Sequence, residues 1–338
     1  MAKKKEEDVE SVEFDTTAFI EKKYGKGVVN PGTYIITNRP KILSISPNFD
    51  QVCGGVPVGC LITLSSPSGF GKTTLALVIA SVCQKDGRQV FYMDIENRLK
   101  PMNLEGIDGL DPSKVFVIRS NKENHLSGDD ALQMATEILK NNTDICLIID
   151  SASAICPESE ITNDVSATIR NTGPKMFANF CRKNAGYITP RNNIVIVIKH
   201  VITNTSGYGA THIEDGGEKL KFQTDIRLMC TKTPELIMEG DNAVGHIIEW
   251  KVLKSATGQS NVTFKTHLRY GHGIDNVAEI IEIAQDYGLI VKSGAWYYLN
   301  NDTPEEKKFQ GIVKLRDYLV EDKDAYTTLF DKVKEMSS

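Results

Sequence analysis

CLITLSSPSGFGKTTLALVIASVCQK (60–85) decides the fold. It opens on a short apolar run, CLITLS (60–65), crosses a loop of small residues and continues as a helical stretch, KTTLALVIASVCQK (72–85). A strand, a tight loop and a helix in that order aim backbone N–H groups and the positive end of a helix dipole at one point, as a phosphate chain requires. The spacing G-x-x-x-x-G-K-[ST] adds a Lys for the β/γ-phosphates and a hydroxyl for Mg²⁺. Ser66, Pro67, Ser68, Gly69, Phe70, Gly71, Lys72, Thr73 and Thr74 are therefore the candidate nucleotide-binding residues, with Thr73 also a metal ligand. Ser66 stands where the first Gly is usual and is expected to strain the turn, and Phe70 is bulky beside Gly71.

Working outward, VFYMD (90–94), ICLIID (145–150) and IVIVIK (194–199) are further apolar runs, with helical stretches such as DDALQMATEILK (129–140) between them. Continuous apolar strands separated by helices imply a mostly parallel sheet covered on both faces, a doubly wound α/β core. IRLMC (226–230), HIIEWKV (246–252) and NVTFKTHL (261–268) follow closely and read as antiparallel additions at one side. ICLIID ends in Asp150, a carboxylate at the carboxyl edge of the sheet where it can hold Mg²⁺. In YMDIEN (92–97), either Asp94 or Glu96 can orient and deprotonate an attacking water. The expected division is an N-terminal arm with a helix at AFIEKKY (1–38), a nucleotide-binding core (39–271) and a small C-terminal module (272–338). That module should hold a helix, a hairpin from LIV and WYYL, and two more helices.

The chain is 41% hydrophobic and 25% charged, ordinary for a globular protein. No apolar run approaches the ~20 residues of a membrane span, the N-terminus has no apolar signal centre, and no membrane partner is expected. Seven cysteines with no C-x-x-C pair read as reduced, buried thiols, which points to the cytoplasm. Net charge is −5, yet the 49 residues between Asp164 and Glu214 hold no acid and six basic residues. Such a window is either a directed polyanion site or a solvated basic helix face.

IEKKYGKG, GGVPVG, PSGFGKTT, MDIEN, LIIDSASAICP, DGGEKLKF, YGHGI and SGAWYYL each resemble a block of the RecA-type recombinase family, in family order. The likeness runs from about residue 19 to 334 and includes features of the phage-encoded UvsX-like branch; for a phage protein the compartment would be the host cytoplasm. It implies a RecA-like phosphate-loop core that uses ATP and Mg²⁺. The protein would assemble into a helical homo-oligomer on single-stranded DNA, pair it with double-stranded DNA and exchange strands. Single-strand-binding and loading proteins would be further partners. On this resemblance Glu96 is the catalytic base, Asp150 the Mg²⁺-linked carboxylate and His200 the sensor of the γ-phosphate. Two DNA-facing loops fall at about 157–168 and 201–215, with Lys175, Arg182 and Tyr208 meeting DNA. Lys221, Phe222 and Lys254 belong to the neighbouring subunit's side of the ATP site, Lys254 with a catalytic role. Lys100 and Asn103 stand where bacterial members have an Asp and a Tyr that contact adenine, and the acidic tail of many members is missing. A hexameric helicase and a non-catalytic recombination mediator are the rival readings.

Overall fold

The computed structural model describes residues 15–161, 173–203, 212–214, 222–300, 303 and 305–337. Two units divide at Pro40. In the first, α1 (Thr16–Tyr24) is capped by Asp15, whose carboxylate accepts from Ala18 N at 2.9 Å. Around Pro31 the chain forms a further short helix, α2 (Gly32–Thr37). Neither helix buries a residue.

The second unit begins with a two-residue ladder of β1 (Ile42–Leu43) and β2 (Val56–Pro57) around α3 (Pro47–Cys53). β3 (Leu61–Ser66) is buried along its whole length and leads into α4 (Lys72–Lys85). β4 (Gln89–Asp94), α5 (Pro101–Glu105), β5 (Val115–Ile118), α6 (Gly128–Asn141), β6 (Ile145–Asp150), α7 (Glu158–Ile161), α8 (Gly173–Ile188) and β7 (Ile194–Thr203) complete the strand–helix alternation. β8 (His212–Glu214) returns antiparallel onto β7. β9 (Ile226–Met229), β10 (Glu235–Glu239), β11 (Asn242–Lys254), β12 (Val262–Arg269) and β13 (Gly273–Ile274) follow. Among the described residues the sheet order is β13-β12-β11-β9-β3-β7-β6-β4-β5, with β10 on β11.

The expected doubly wound architecture is present, with one correction. β9, from IRLMC, pairs parallel with β3, and the antiparallel part begins only at β11. Leu228 and Ile226 are fully buried because β9 is an interior strand of the sheet. Alternation along β7 sends Ile194, Ile196 and Ile198 to the α4 face, and Val195 and Val197 to the face covered by α6 and α8. All seven cysteines are free thiols, and all but Cys156 are buried.

The C-terminal part has its own core around Ile280, Ile283, Leu315, Leu319 and Leu329. The hairpin of β14 (Ile290–Ser293) and β15 (Trp296–Leu299) gains a third strand, β16 (Lys307–Gln310), from a polar stretch with no strand-like alternation of its own. Among the described residues no helix is long and apolar enough to cross a membrane.

Candidate active site

β3 stops at Ser66 and the chain turns through residues 67–71 into α4. Ser66 has no positive φ, and its hydroxyl donates to Pro67 O at 2.9 Å. The strain expected from a serine here does not arise, because this position is still extended strand. Gly71 is where glycine is required. It has φ 72°, and a Cβ there would lie 2.3 Å from Ile248 Cδ1 and 2.7 Å from Leu268 Cδ1. α4 has no acidic residue in its first turn and no side-chain cap, so its N-terminal N–H groups stay available to an anion.

Lys72 is buried, and its Nζ donates to Ser66 O at 2.7 Å and Pro67 O at 2.8 Å. Burial pulls its pKa down to about 8 against the opposing pull of Asp150 and Glu96. The ammonium thus sits in a loop of carbonyls, ready to be redirected to a phosphate. Thr73 Oγ1 donates to Asp150 Oδ2 at 3.0 Å, and Tyr92 OH donates to the same oxygen at 2.5 Å. Burial raises the pKa of Asp150, while these two donors pull it back.

Ser151 Oγ donates to Glu96 Oε1 at 2.5 Å, and His200 Nε2 lies 2.7 Å from the same oxygen. Burial alone would raise the Glu96 pKa; the Ser151 hydroxyl and the His200 ring outweigh it and hold the carboxyl below its usual range. The His200 backbone is fixed in turn, donating to Ser153 Oγ at 2.9 Å. Parallel register puts Ser66 beside His200 and Asp94 beside Asp150, so all these groups collect at one end of the sheet. Asp94 is committed elsewhere. It accepts from Arg98 N at 2.9 Å and Leu99 N at 3.1 Å and fixes the turn that carries Glu96.

Lys72, Thr73, Tyr92, Asp94, Glu96, Asp150 and His200 line a cleft of 690 Å³, within the range of small-molecule sites. Its far wall holds Met102, Asn103, His246 and Tyr270. Lys100 and Asn103 cap α5, where Lys100 N donates to Asn103 Oδ1 at 2.9 Å. Sequence reading missed Tyr92, Ser151, Ser153 and His246 as site residues. Tyr270 lay inside the quoted YGHGI block, and that was its only signal. Among the described residues no three or more His, Cys, Asp or Glu side chains cluster as a metal cage. Thr73 and Asp150 fit instead a cation completed by water and phosphate oxygens.

Other expected site residues lie away from the cleft. Lys175 and Arg182 are exposed on α8, seven positions and so roughly 10 Å apart on one helix face. Lys254 ends β11, does not line the cleft, and donates from Nζ to Thr224 O at 2.5 Å. Phe222 is 82% exposed. Tyr208 and Lys221 lie outside the described residues.

The sheet, the glycine-kinked loop and the paired carboxylates define a phosphate-loop ATPase. The RecA N-terminal domain family matches residues 13–275 and the RecA C-terminal domain family residues 278–338. Protein RecA of Lactobacillus johnsonii is 30% identical over 320 residues, covering 94% of this chain and 86% of its own length. Protein RecA of Phytoplasma mali is 29% identical over 326 residues, covering 95% and 93%. A crystal structure of the RadB recombinase shares the fold with TM-score 0.50 and 17% identity, covering 69% of this chain and 98% of that one. The chain belongs to the RecA family. It is an ATP-dependent homologous recombination protein and a DNA-dependent ATPase; binding of DNA, self-association into filaments and strand exchange are characteristic of that family. Family membership removes the hexameric helicase as a rival.

Proposed function

We propose that hydrolysis is carried out by Glu96 as general base, with Ser151 and His200 aiming its carboxylate and keeping it ionised. The observation that carries this reading is the shared grip of those two side chains on Glu96 Oε1, at 2.5 and 2.7 Å, beside the phosphate loop. In the same reading Lys72 leaves its carbonyls for the β/γ-phosphates, and the N–H groups of 69–74 wrap them. Mg²⁺, held by Thr73 and Asp150, would supply positive charge across the phosphate oxygens. His200, joined to Glu96 on one side and to β7 on the other, reads the γ-phosphate.

On DNA, Lys175 and Arg182 meet the backbone and Tyr208 wedges against bases, without sequence preference. A head-to-tail contact that does not close gives a helical filament. There Lys221, Phe222 and Lys254 approach the ATP held by the adjacent subunit, and 1–38 serves as the polymerisation arm of the 39–271 core. The 272–338 module, single-strand-binding proteins and loading proteins complete the assembly.

The test is Glu96→Gln. The amide keeps the shape but cannot take a proton, so turnover with single-stranded DNA should fall by about a hundredfold or more while ATP still binds. Turnover near the wild-type rate would remove Glu96 as the base.

A further inference from the structure

Glu214 is the first acid after the long acid-free window, and it is buried, with its side chain 5% exposed. Three neighbouring parallel strands each give it one partner. Ser65 Oγ on β3 donates to Oε1 at 2.7 Å, and Arg227 Nη2 on β9 donates to Oε2 at 2.6 Å. Lys199 Nζ on β7 stands 3.9 Å from Oε2, its side chain 2% exposed. Ser65 and Lys199 are opposite each other in register, one residue before Ser66, where the phosphate loop begins, and His200, which lines the cleft. Alternation turns them to the face away from α4. Glu214 itself pairs with Val201 where β8 folds back on β7.

The carboxylate joins the return strand to cations from the two strands on either side of β3, the buried Lys199 and the partly buried Arg227. Burial pushes the Glu214 pKa up, but Lys199, Ser65 and Arg227 hold it below the usual range, so the anion is present at neutral pH.

We infer that Glu214 is a positioning residue: it locks the return strand of the 201–214 hairpin to the strand ends that carry the phosphate loop and His200, so nucleotide contact and the DNA-facing segment are set together. Ser65 and Lys199 are chain neighbours of Ser66 and His200 in the same β3–β7 ladder, so a shift of these strand ends carries both the phosphate-side residues and the carboxylate's partners. The inference rests on the reading that 201–215 faces DNA.

The experiment compares Glu214→Gln, Ser65→Ala and Tyr208→Ala with the full-length wild type. It measures ATP affinity, ATPase kcat and KM with and without single-stranded DNA, and the gain in single-strand affinity produced by ATP. Glu214→Gln should leave ATP affinity and KM unchanged while DNA-stimulated kcat and the ATP-dependent gain in DNA affinity each fall about tenfold. Ser65→Ala, losing one hydrogen bond and no charge, should move the same readouts about threefold, and it decides the matter if Glu214→Gln does not fold. Wild-type coupling in both variants, with Tyr208→Ala impaired, overturns the inference and leaves the DNA-loop reading standing. Wild-type behaviour in all three overturns both. Loss of ATP binding in step with DNA stimulation overturns it too, in favour of a role in folding alone.

Discussion

Lys72 and Lys254 both end on backbone carbonyls, and their surroundings make them unlike. Lys72 points into its own loop near Glu96 and Asp150, in a cleft that also takes in the first turn of α4. Lys254 closes β11 on Thr224 O and stands near the Asp225 carboxylate, which accepts from Leu61 N at 2.8 Å and whose pKa the nearby Lys254 charge pulls down against burial. The first lysine lies in the cleft; the second holds its charge at a strand end outside it, which fits the proposed role across a subunit interface.

The sharpest way to break this comparison is to remove each lysine. Lys72→Ala should lower ATP affinity by roughly a hundredfold, the scale of deleting one buried charged partner. Lys254→Ala should bind ATP and turn over about a hundredfold more slowly, as expected for charge stabilisation lost only in the transition state. Mixed on one DNA, the two proteins should exceed the sum of their separate rates, because some interfaces pair an intact loop with an intact Lys254. A dead Lys254→Ala protein that mixing does not restore would put that lysine to work within its own subunit.

A smaller effect is expected from charges that meet a polyanion rather than a phosphate tail. Lys175→Ala and Arg182→Ala should each weaken single-strand binding for any sequence and reduce the slope of log affinity against log salt by about 0.7. Slopes equal to wild type would place α8 off the DNA.

The smallest effect on chemistry, and a visible one on stability, belongs to the junction between α3 and the helix Asn276–Asp286. Glu279 is fully buried there, accepting from Asn48 N at 3.0 Å and His267 N at 3.3 Å. Burial raises its pKa to about 7 despite these donors. Between the unfolded value near 4.5 and about 7 the native state binds the extra proton, so stability falls as pH rises through that window, by on the order of 3 kcal/mol. Glu279→Gln should flatten this fall while leaving turnover at neutral pH unchanged, as urea unfolding at pH 5 and pH 7.5 would show.

The phosphate loop and Asp150 were legible because each is fixed by local sequence: a glycine that must be left-handed, a lysine after it, an acid at the end of an apolar run. The contact of Glu96 with His200 was not legible: resemblance pointed to the two residues separately, and only the fold brings them to 2.7 Å. It depends on the parallel register of β4, β6, β3 and β7, which nothing within either segment specifies. The choice between Asp94 and Glu96 was open for the same reason, since the turn at 95–99 that occupies Asp94 is visible only once folded. IRLMC was misread because a short buried strand has no direction in its composition. Direction comes from how the chain re-enters the sheet. The third strand of the C-terminal module was missed because KKFQ takes its strand form from its neighbour, WYYL.

The floor under Gly71 has a mechanical meaning. Ile248, whose methyl leaves no room for a Cβ there, sits in the middle of β11, and Lys254 sits at the end of the same strand. Six residues of extended chain set those two points about 20 Å apart, held by β12 as far as Val252 and by β9 from Lys251, across a bulge between Val252 and Lys254. β11 is thus a ruler with the phosphate loop resting at one mark and Lys254 at another. A change at Lys254 and a change under Gly71 are therefore made on one and the same strand.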